Sequence, residues 1–291
     1  MTESRIFSLN EVMIDSQYFY MESIIDPWGE DDQVVDSIIS SRFDETISIT
    51  IWKRLAEVSE TGALFVDVGA YSGIFSLVAA ATRGDIRTVA FEPSAITFGR
   101  LTRNILINGF DTRIVPTNLA AGSAAKQIVF PHRYGIFSLC SGESAGTEEF
   151  DHTQQATLVP LDALLAPSRE HPYLNSKTMS VWPYARIVGV KIDVEGAEID
   201  VLNGSAGLFR AYRPAIIAEY LSDEAYRQLN DFASNIDYEI HKIENERNVF
   251  MFHRESPVER QVMESAFQSP GSVAGRRTST MTVARTMRGA S

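Results

Sequence analysis

The chain has 291 residues, 44% of them hydrophobic, and carries 38 acidic against 26 basic side chains, a formal net charge of −12. That length suits one large α/β domain with appendages and a well-buried core, and the acidic balance argues against nucleic acid, whose binding relies on Lys and Arg displacing counterions. The single cysteine, Cys140, excludes an internal disulfide and a cysteine-based zinc site. No apolar run approaches the roughly 20 residues that cross a bilayer, and the opening MTESRIFSLNEVMID places acids where an export signal is basic and then apolar. The expected setting is a reducing cytoplasm, without a membrane or nucleic-acid partner.

Residues 1–59 read as an acidic, helical extension able to cap a site. Eleven acids fall between Glu3 and Glu45 against Arg5 and Arg42, and residues 30–58 turn amphipathic through Ile47, Ile51, Leu55 and Val58. The aromatic group Tyr18, Phe19, Tyr20 and Trp28 suits packing on the domain better than a substrate lid. The main domain spans 60–254. ALFVDVGA (63–70) is a buried-strand pattern running into the helical IFSLVAAATR (74–83). RTVAFEP (87–93) is a second strand stopped by Pro93, after which Ser94 caps a helix through Phe98, Leu101, Ile105 and Leu106 that ends at Asn108-Gly109. TRIVPTNLAA (112–121) supplies a third strand. KQIVFPH (126–132) and ATLVPLDALL (156–165), around a Ser/Gly-rich loop at 138–147, read as strands of an insertion.

ARIVGVKIDVEG (185–196) is the fourth long strand, AEIDVLNGSAGLF (197–209) a helix, and RPAIIAEY (213–220) the fifth strand. After a helix near 222–234, DYEIHKI and RNVFMFH are separated by Glu244, Asn245 and Glu246 alone. A linker that short forces an antiparallel hairpin at one sheet edge. Residues 255–291 form a C-terminal extension. From about residue 268 it carries Arg276, Arg277, Arg285 and Arg288 with no acid and few large apolar side chains, a composition that predicts disorder.

The chemistry starts at Asp67-Val68-Gly69-Ala70-Tyr71-Ser72-Gly73, where the first strand meets the first helix and glycines let a ligand approach the backbone. Glu92 closes the next strand and presents a carboxylate to a ribose diol, which predicts a nucleoside ligand. Gly69-x-x-x-Gly73 lacks the middle glycine of a pyrophosphate-binding turn, and Asp67 sits where pyrophosphate would be repelled. An ammonium and a sulfonium are welcome there, so S-adenosylmethionine is favoured over NAD. At the fourth and fifth strand ends stand Asp193, Glu195 and Glu219, candidates to converge on the transferred methyl as general base. Oxygen ligands of this kind also suit Mg²⁺. The alternative for Asp193 and Glu195 is helix capping. Lys191, inside a buried strand, reads as an ion-pair partner. The histidines at 132, 152, 171, 241 and 253 show no metal-ligand spacing, and His132 alone merits a test as a substrate contact.

FVDVGAYSGIFSLVAA, VAFEPSAITFGRLTRNILIN, VPTNLAAGS, VPLDAL, KIDVEGAEIDVLNG and RPAIIAEY, in this order over roughly residues 60–222, resemble the FkbM-type S-adenosylmethionine-dependent methyltransferases. The resemblance implies a doubly wound, Rossmann-like class I methyltransferase fold: a seven-stranded sheet with an antiparallel last strand. It implies Asp67, Gly69 and Gly73 around the methionine moiety, Glu92 on the ribose, and the turn at Asn118 and Ala120 near the adenine. Ala70 and Tyr71 inside the first turn and Pro93 after Glu92 complete the expected cofactor set. Tyr71 departs from the family, where a small polar residue is commoner. The expected reaction is O-methylation of a hydroxyl on a sugar, glycoconjugate or polyketide-like small molecule. Carboxyl or nitrogen acceptors, a non-catalytic binding protein and an NAD-dependent oxidoreductase are the alternatives.

Overall fold

The computed structural model describes residues 2–25, 32–132, 152–165 and 186–286. A hairpin of β1 (Thr2–Ile14) and β2 (Gln17–Ile25) comes first, followed by α1 (Gln33–Ile39) and α2 (Thr46–Val58). The alternating units then follow: β3 (Leu64–Val68), α3 (Ile74–Thr82), β4 (Arg87–Phe91), α4 (Ala95–Ile107) and β5 (Ile114–Thr117). The insertion contributes β6 (Ala120–Ala121), β7 (Lys126–His132), β8 (His152–Val159) and α5 (Leu161–Leu165). The second half holds β9 (Ile187–Ile192), α6 (Glu198–Asn203), α7 (Ala206–Tyr212), β10 (Ala215–Glu219) and α8 (Asp223–Asn235). The hairpin β11 (Tyr238–Lys242) and β12 (Asn248–His253), α9 (Pro257–Gln268) and β13 (Val273–Thr286) complete the chain order.

Seven strands form the central sheet in the order β11-β12-β10-β9-β3-β4-β5. All run parallel except β12, which is antiparallel to both neighbours, the doubly wound class I methyltransferase arrangement implied by the resemblance. Alternate residues feed two cores. Phe65, Ala90, Ile217 and Phe250 face α2 and α3 with Trp52, and Val66, Val89, Val190 and Ile216 face α5 to α8. Burial on both faces is why these strands read as continuous apolar runs. The strand order reverses between β3 and β9, so the crevice above their carboxyl ends is the place for a ligand.

The ends of the chain depart from expectation. Residues 2–25 are strands, and helices begin only at Gln33. The tail expected to be disordered is largely β13, paired with β1 from Thr2↔Thr286 to Ile14↔Val273. Composition misled here because a strand laid along an existing hairpin is held by its backbone ladder and β-branched Thr and Val, without large side chains of its own. Opposite charges at the two ends also meet, with Arg276 Nε 2.8 Å from Glu11 Oε1. Two further segments divide: TRIVPTNLAA becomes β5 and β6 in different sheets, and ATLVPLDALL is strand only to Val159, then α5. The helix expected over 197–209 breaks at Gly204, where a Cβ would lie 2.0 Å from the Gly122 carbonyl oxygen. Trp28, Cys140, Arg288, His171 and the loop at 138–147 lie outside the described residues.

Candidate active site

The turn after β3 is shaped by what lies behind it. At Gly69, φ is +78° and a Cβ would stand 1.7 Å from the Asp193 carbonyl oxygen, so only glycine lets β3 and β9 end side by side. The Gly69 and Ala70 amides both donate to the Phe91 carbonyl, at 3.0 and 2.9 Å. Gly73, with φ +96°, would drive a Cβ to 2.5 Å from Leu101 Cδ1. Asp67 is buried, and its Oδ2 accepts from the Ser76 amide and hydroxyl at 3.1 and 2.6 Å. Burial pushes it up to about 6. Its carboxylate therefore satisfies an amide in the first turn of α3.

Glu92 holds the neighbouring turn. Its Oε2 accepts from the Tyr71 amide and its Oε1 from the Ser94 amide, each at 2.9 Å, and burial raises its pKa to about 8. Asn118 Nδ2 donates to the carbonyls of Glu92 and Pro93, at 2.8 and 3.0 Å, fixing their direction. Ala120 is buried in β6, paired with Leu158 of the insertion. Of the residues expected around a cofactor, Asp67, Gly69, Ala70, Glu92, Pro93 and Asn118 gather at the carboxyl ends of β3, β4 and β5, with Gly73 at the start of α3 and Ala120 in β6. The Tyr71 hydroxyl is held above its ordinary range by burial and by the Asp32 carboxylate.

The second half of the site lies at the ends of β9 and β10. One carboxylate oxygen from each of Asp193, Glu195 and Glu219 falls within 4.8 Å of the others. The turn carrying them is unusual: Glu195 has φ +54° and Gly196 φ +104°, and Glu198 Oε1 folds back to accept from the Val194 and Gly196 amides at 3.2 and 3.0 Å. Glu198 thus satisfies two amides of the turn before the helix, no side chain caps the helix itself, and Asp193 and Glu195 line the crevice. Beneath them lies Lys191, whose side chain is 2% exposed. Its Nζ is 3.1 Å from Glu45 Oε1, 3.3 Å from Asp193 Oδ2 and 3.1 Å from Asn248 Oδ1. Burial works against its charge, and Glu45 and Asp193 more than offset that, so the expected ion-pair role holds.

Burial raises all three carboxylates. Glu195 goes to about 7, aided by Asp193, and Glu219 to about 9, aided by the charges of Asp193 and Glu195. Asp193 is raised by burial against the pull of Lys191. Glu219 is buried, and its Oε2 has no hydrogen-bond partner. The acids open into a crevice of about 530 Å³, whose lining includes Gln33, Asp36, Arg42, Phe43 and Arg247.

Several site residues escaped the sequence reading. Glu45 and Asn248 reach Lys191 from distant segments, and Gln154 of β8 accepts from the Ala95 amide at 3.0 Å over the start of α4. No local pattern marks them. Asp32 carried a signal, as an N-cap candidate before an apolar helical run, and it accepts from the Val34 and Val35 amides at 3.1 Å. Among the described side chains, His241 stacks on Phe252 at 5.5 Å and His253 packs edge-on to Tyr238 at 6.0 Å. The side chain of His132 lies outside the described residues. Among the described residues, no helix is long and apolar enough to cross a membrane.

The profile of the Methyltransferase FkbM domain matches residues 67–254. The chain belongs to the FkbM methyltransferase family. The matched region runs from Asp67, through both glycine turns and the three strand-end acids, to just past β12. Among solved structures, this FkbM chain is similar to an FkbM methyltransferase from Methylobacillus flagellatus KT, at 17% identity and a TM-score of 0.46. That match covers 67% of this chain and 45% of the other, so the chain spans less than half of that relative. It is also similar to precorrin-6y C5,15-methyltransferase from Geobacter metallireducens GS-15, at 11% identity and a TM-score of 0.41, over 77% of this chain and 95% of that one. No curated protein matches the chain.

Proposed function

We propose that this FkbM-family chain transfers a methyl group from S-adenosylmethionine to a hydroxyl of a small-molecule or glycan acceptor. The convergence of Asp193, Glu195 and Glu219 beside the Gly69 cradle carries this reading. The residues present suit that cofactor: Gly69 brings the ends of β3 and β9 side by side, and Glu92 offers remaining lone pairs to a ribose diol. When bound, the cofactor supplies an electrophilic methyl on a sulfonium.

The chain's own groups divide the remaining work. An alcohol needs to lose its proton to attack, and a carboxylate in hydrogen-bond reach contributes about 10² to 10⁴ in rate as general base. Near neutral pH, Glu219, raised to about 9, keeps its proton. Asp193, 3.3 Å from the Lys191 ammonium, is the acid whose charge a neighbouring cation supports, and it is assigned as the base. Holding the acceptor in line contributes more, on the order of 7–11 kcal/mol. A crevice lined by carboxylates, Arg42 and Arg247, with Val34 and Phe43 as its apolar side chains, favours a sugar hydroxyl over a polyketide-like one. The lone cysteine fits a cytoplasmic setting.

A second reading rests on the same oxygens. Three carboxylates within 4.8 Å suit Mg²⁺, which would lower the pKa of a bound hydroxyl in place of a base. Calorimetry with S-adenosylhomocysteine tests the cofactor assignment, with a single saturable site expected and none at millimolar concentration sinking it. Transfer of labelled methyl to a panel of sugars, with Mg²⁺ or with EDTA, then separates the two roles. Unchanged turnover in EDTA supports the base, and its abolition supports the ion.

A further inference from the structure

The family match begins at Asp67, yet the turn it begins with is gripped from the N-terminal side. Tyr71 holds a left-handed φ of +50° without being glycine, a conformation costing about 1–2 kcal/mol that persists only where its surroundings over-determine it. Two side chains do so at successive residues. Glu92 accepts from the Tyr71 amide, and Asn104 Nδ2, from fully buried Asn104 of α4, donates to the Ser72 carbonyl at 2.9 Å. The other end of the Asn104 amide is occupied by the N-terminal sheet, for its Oδ1 accepts from the Glu22 amide of β2 at 2.7 Å. That contact fixes which way the amide faces, because Oδ1 turned to Glu22 leaves only Nδ2 for Ser72.

One turn of α4 further on, Asn108 completes the pattern. It accepts from the Tyr20 amide at 2.8 Å and donates to the Tyr20 carbonyl at 2.7 Å, standing in for a fourth strand along the outer edge of β2. One turn before Asn104, Arg100 Nη1 lies 3.6 Å from Asp32 Oδ2, the cap of α1. Arg103 meets Glu22 on the same stretch, Nε to Oε1 at 2.9 Å. Three of the buried polar atoms without a hydrogen-bond partner belong to this cluster: Asp32 Oδ2, Arg100 Nε and Ser72 Oγ. A polar stripe at positions 100, 103, 104 and 108 of a single helix, between the N-terminal segment and the cofactor turn, exceeds what packing requires.

We infer that the N-terminal sheet and the start of α1 are part of the cofactor site, with Asn104 and Asp32 as positioning residues that hold the 70–73 turn in its binding conformation. The inference rests on the cofactor reading above. By linkage, where docking of β2 favours the binding conformation of the turn, ligand binding favours that docking by the same free energy.

Hydrogen exchange of the full chain with and without S-adenosylhomocysteine tests the coupling directly, with slower exchange expected at the Tyr20 and Glu22 amides when ligand is bound. Asn104→Asp keeps an acceptor for Glu22 but removes the donor to Ser72, and should weaken S-adenosylhomocysteine binding about tenfold, one hydrogen bond's worth. Asp32→Asn keeps the α1 cap, loses the charge facing Arg100, and should weaken binding less. Binding by the wild type without protection at Glu22, or affinity within twofold in Asn104→Asp, overturns the inference while leaving the cofactor reading intact. No binding by the wild type overturns both. If Asn104→Asp fails to fold, exchange in the wild type decides alone.

Discussion

The two halves of the crevice hold their carboxylates by different means. At β3 and β4, Asp67 and Glu92 are each met by backbone amides and, for Asp67, a hydroxyl: Ser76 for one, Tyr71 and Ser94 for the other. At β9 and β10, Asp193 faces an ammonium, Glu219 has an oxygen without a hydrogen-bond partner, and Glu195 sits on a left-handed residue. Fixed dipoles in the first half suit recognition of a constant group. Mutually repelling acids balanced by one buried cation suit a place where protons move. If this contrast is functional, variants in the first half should disturb binding and variants in the second turnover.

The largest expected effect comes from the seam between the halves. Gly69→Ala would place its Cβ 1.7 Å from the Asp193 carbonyl oxygen at a φ of +78°. Neither strand end can yield without moving the other, so S-adenosylhomocysteine binding should vanish and the melting temperature fall. Calorimetry and thermal denaturation check both, and a variant that binds normally would mean that the two turns are not in contact.

Next is Asp193→Asn, which keeps the shape and removes the base. Turnover should fall by about 10² to 10⁴, with S-adenosylhomocysteine affinity within a few-fold of wild type. Equal losses in both would erase the division between halves. Wild-type turnover would reduce Asp193 to a partner of Lys191.

The contrast also marks what could be read in advance. The central strands are legible because burial on both faces leaves a continuous apolar run, and Gly69, Glu92 and Asp193 because they fall at strand ends where local pattern and position coincide. Glu45, Asn248 and Gln154 are not, since each reaches the site from a segment whose own pattern describes only its helix, strand or loop. The N-terminal sheet was obscured for a related reason. Its edge is satisfied by Asn104 and Asn108 of α4, and a polar pair four residues apart on a helix reads as a solvated face until the strand lying on it is known. The tail was missed because its pairing depends on β1, more than 250 residues earlier.

The smallest effect, and the sharpest on the first half, is a pH dependence at Glu92. Its folded pKa of about 8 stands above its ordinary 4.5, so between those values the folded protein holds a proton that the unfolded chain releases. Stability from this group is fully present below about pH 4.5 and is lost as pH rises through about 8. Glu92→Gln has no such loss, so its melting temperature should gain on wild type as pH is raised from 5 to 9. Ligand binding should run the other way: ribose hydroxyls donate to the ionised carboxylate, so cofactor binding releases a proton and wild-type affinity strengthens up to about pH 8. Glu92→Gln should bind more weakly with no such trend, as calorimetry in buffers of different ionisation enthalpy would report. Proton release that persists in Glu92→Gln would shift the titrating group to Asp67, whose pKa of about 6 predicts a rise in affinity that is complete two pH units earlier.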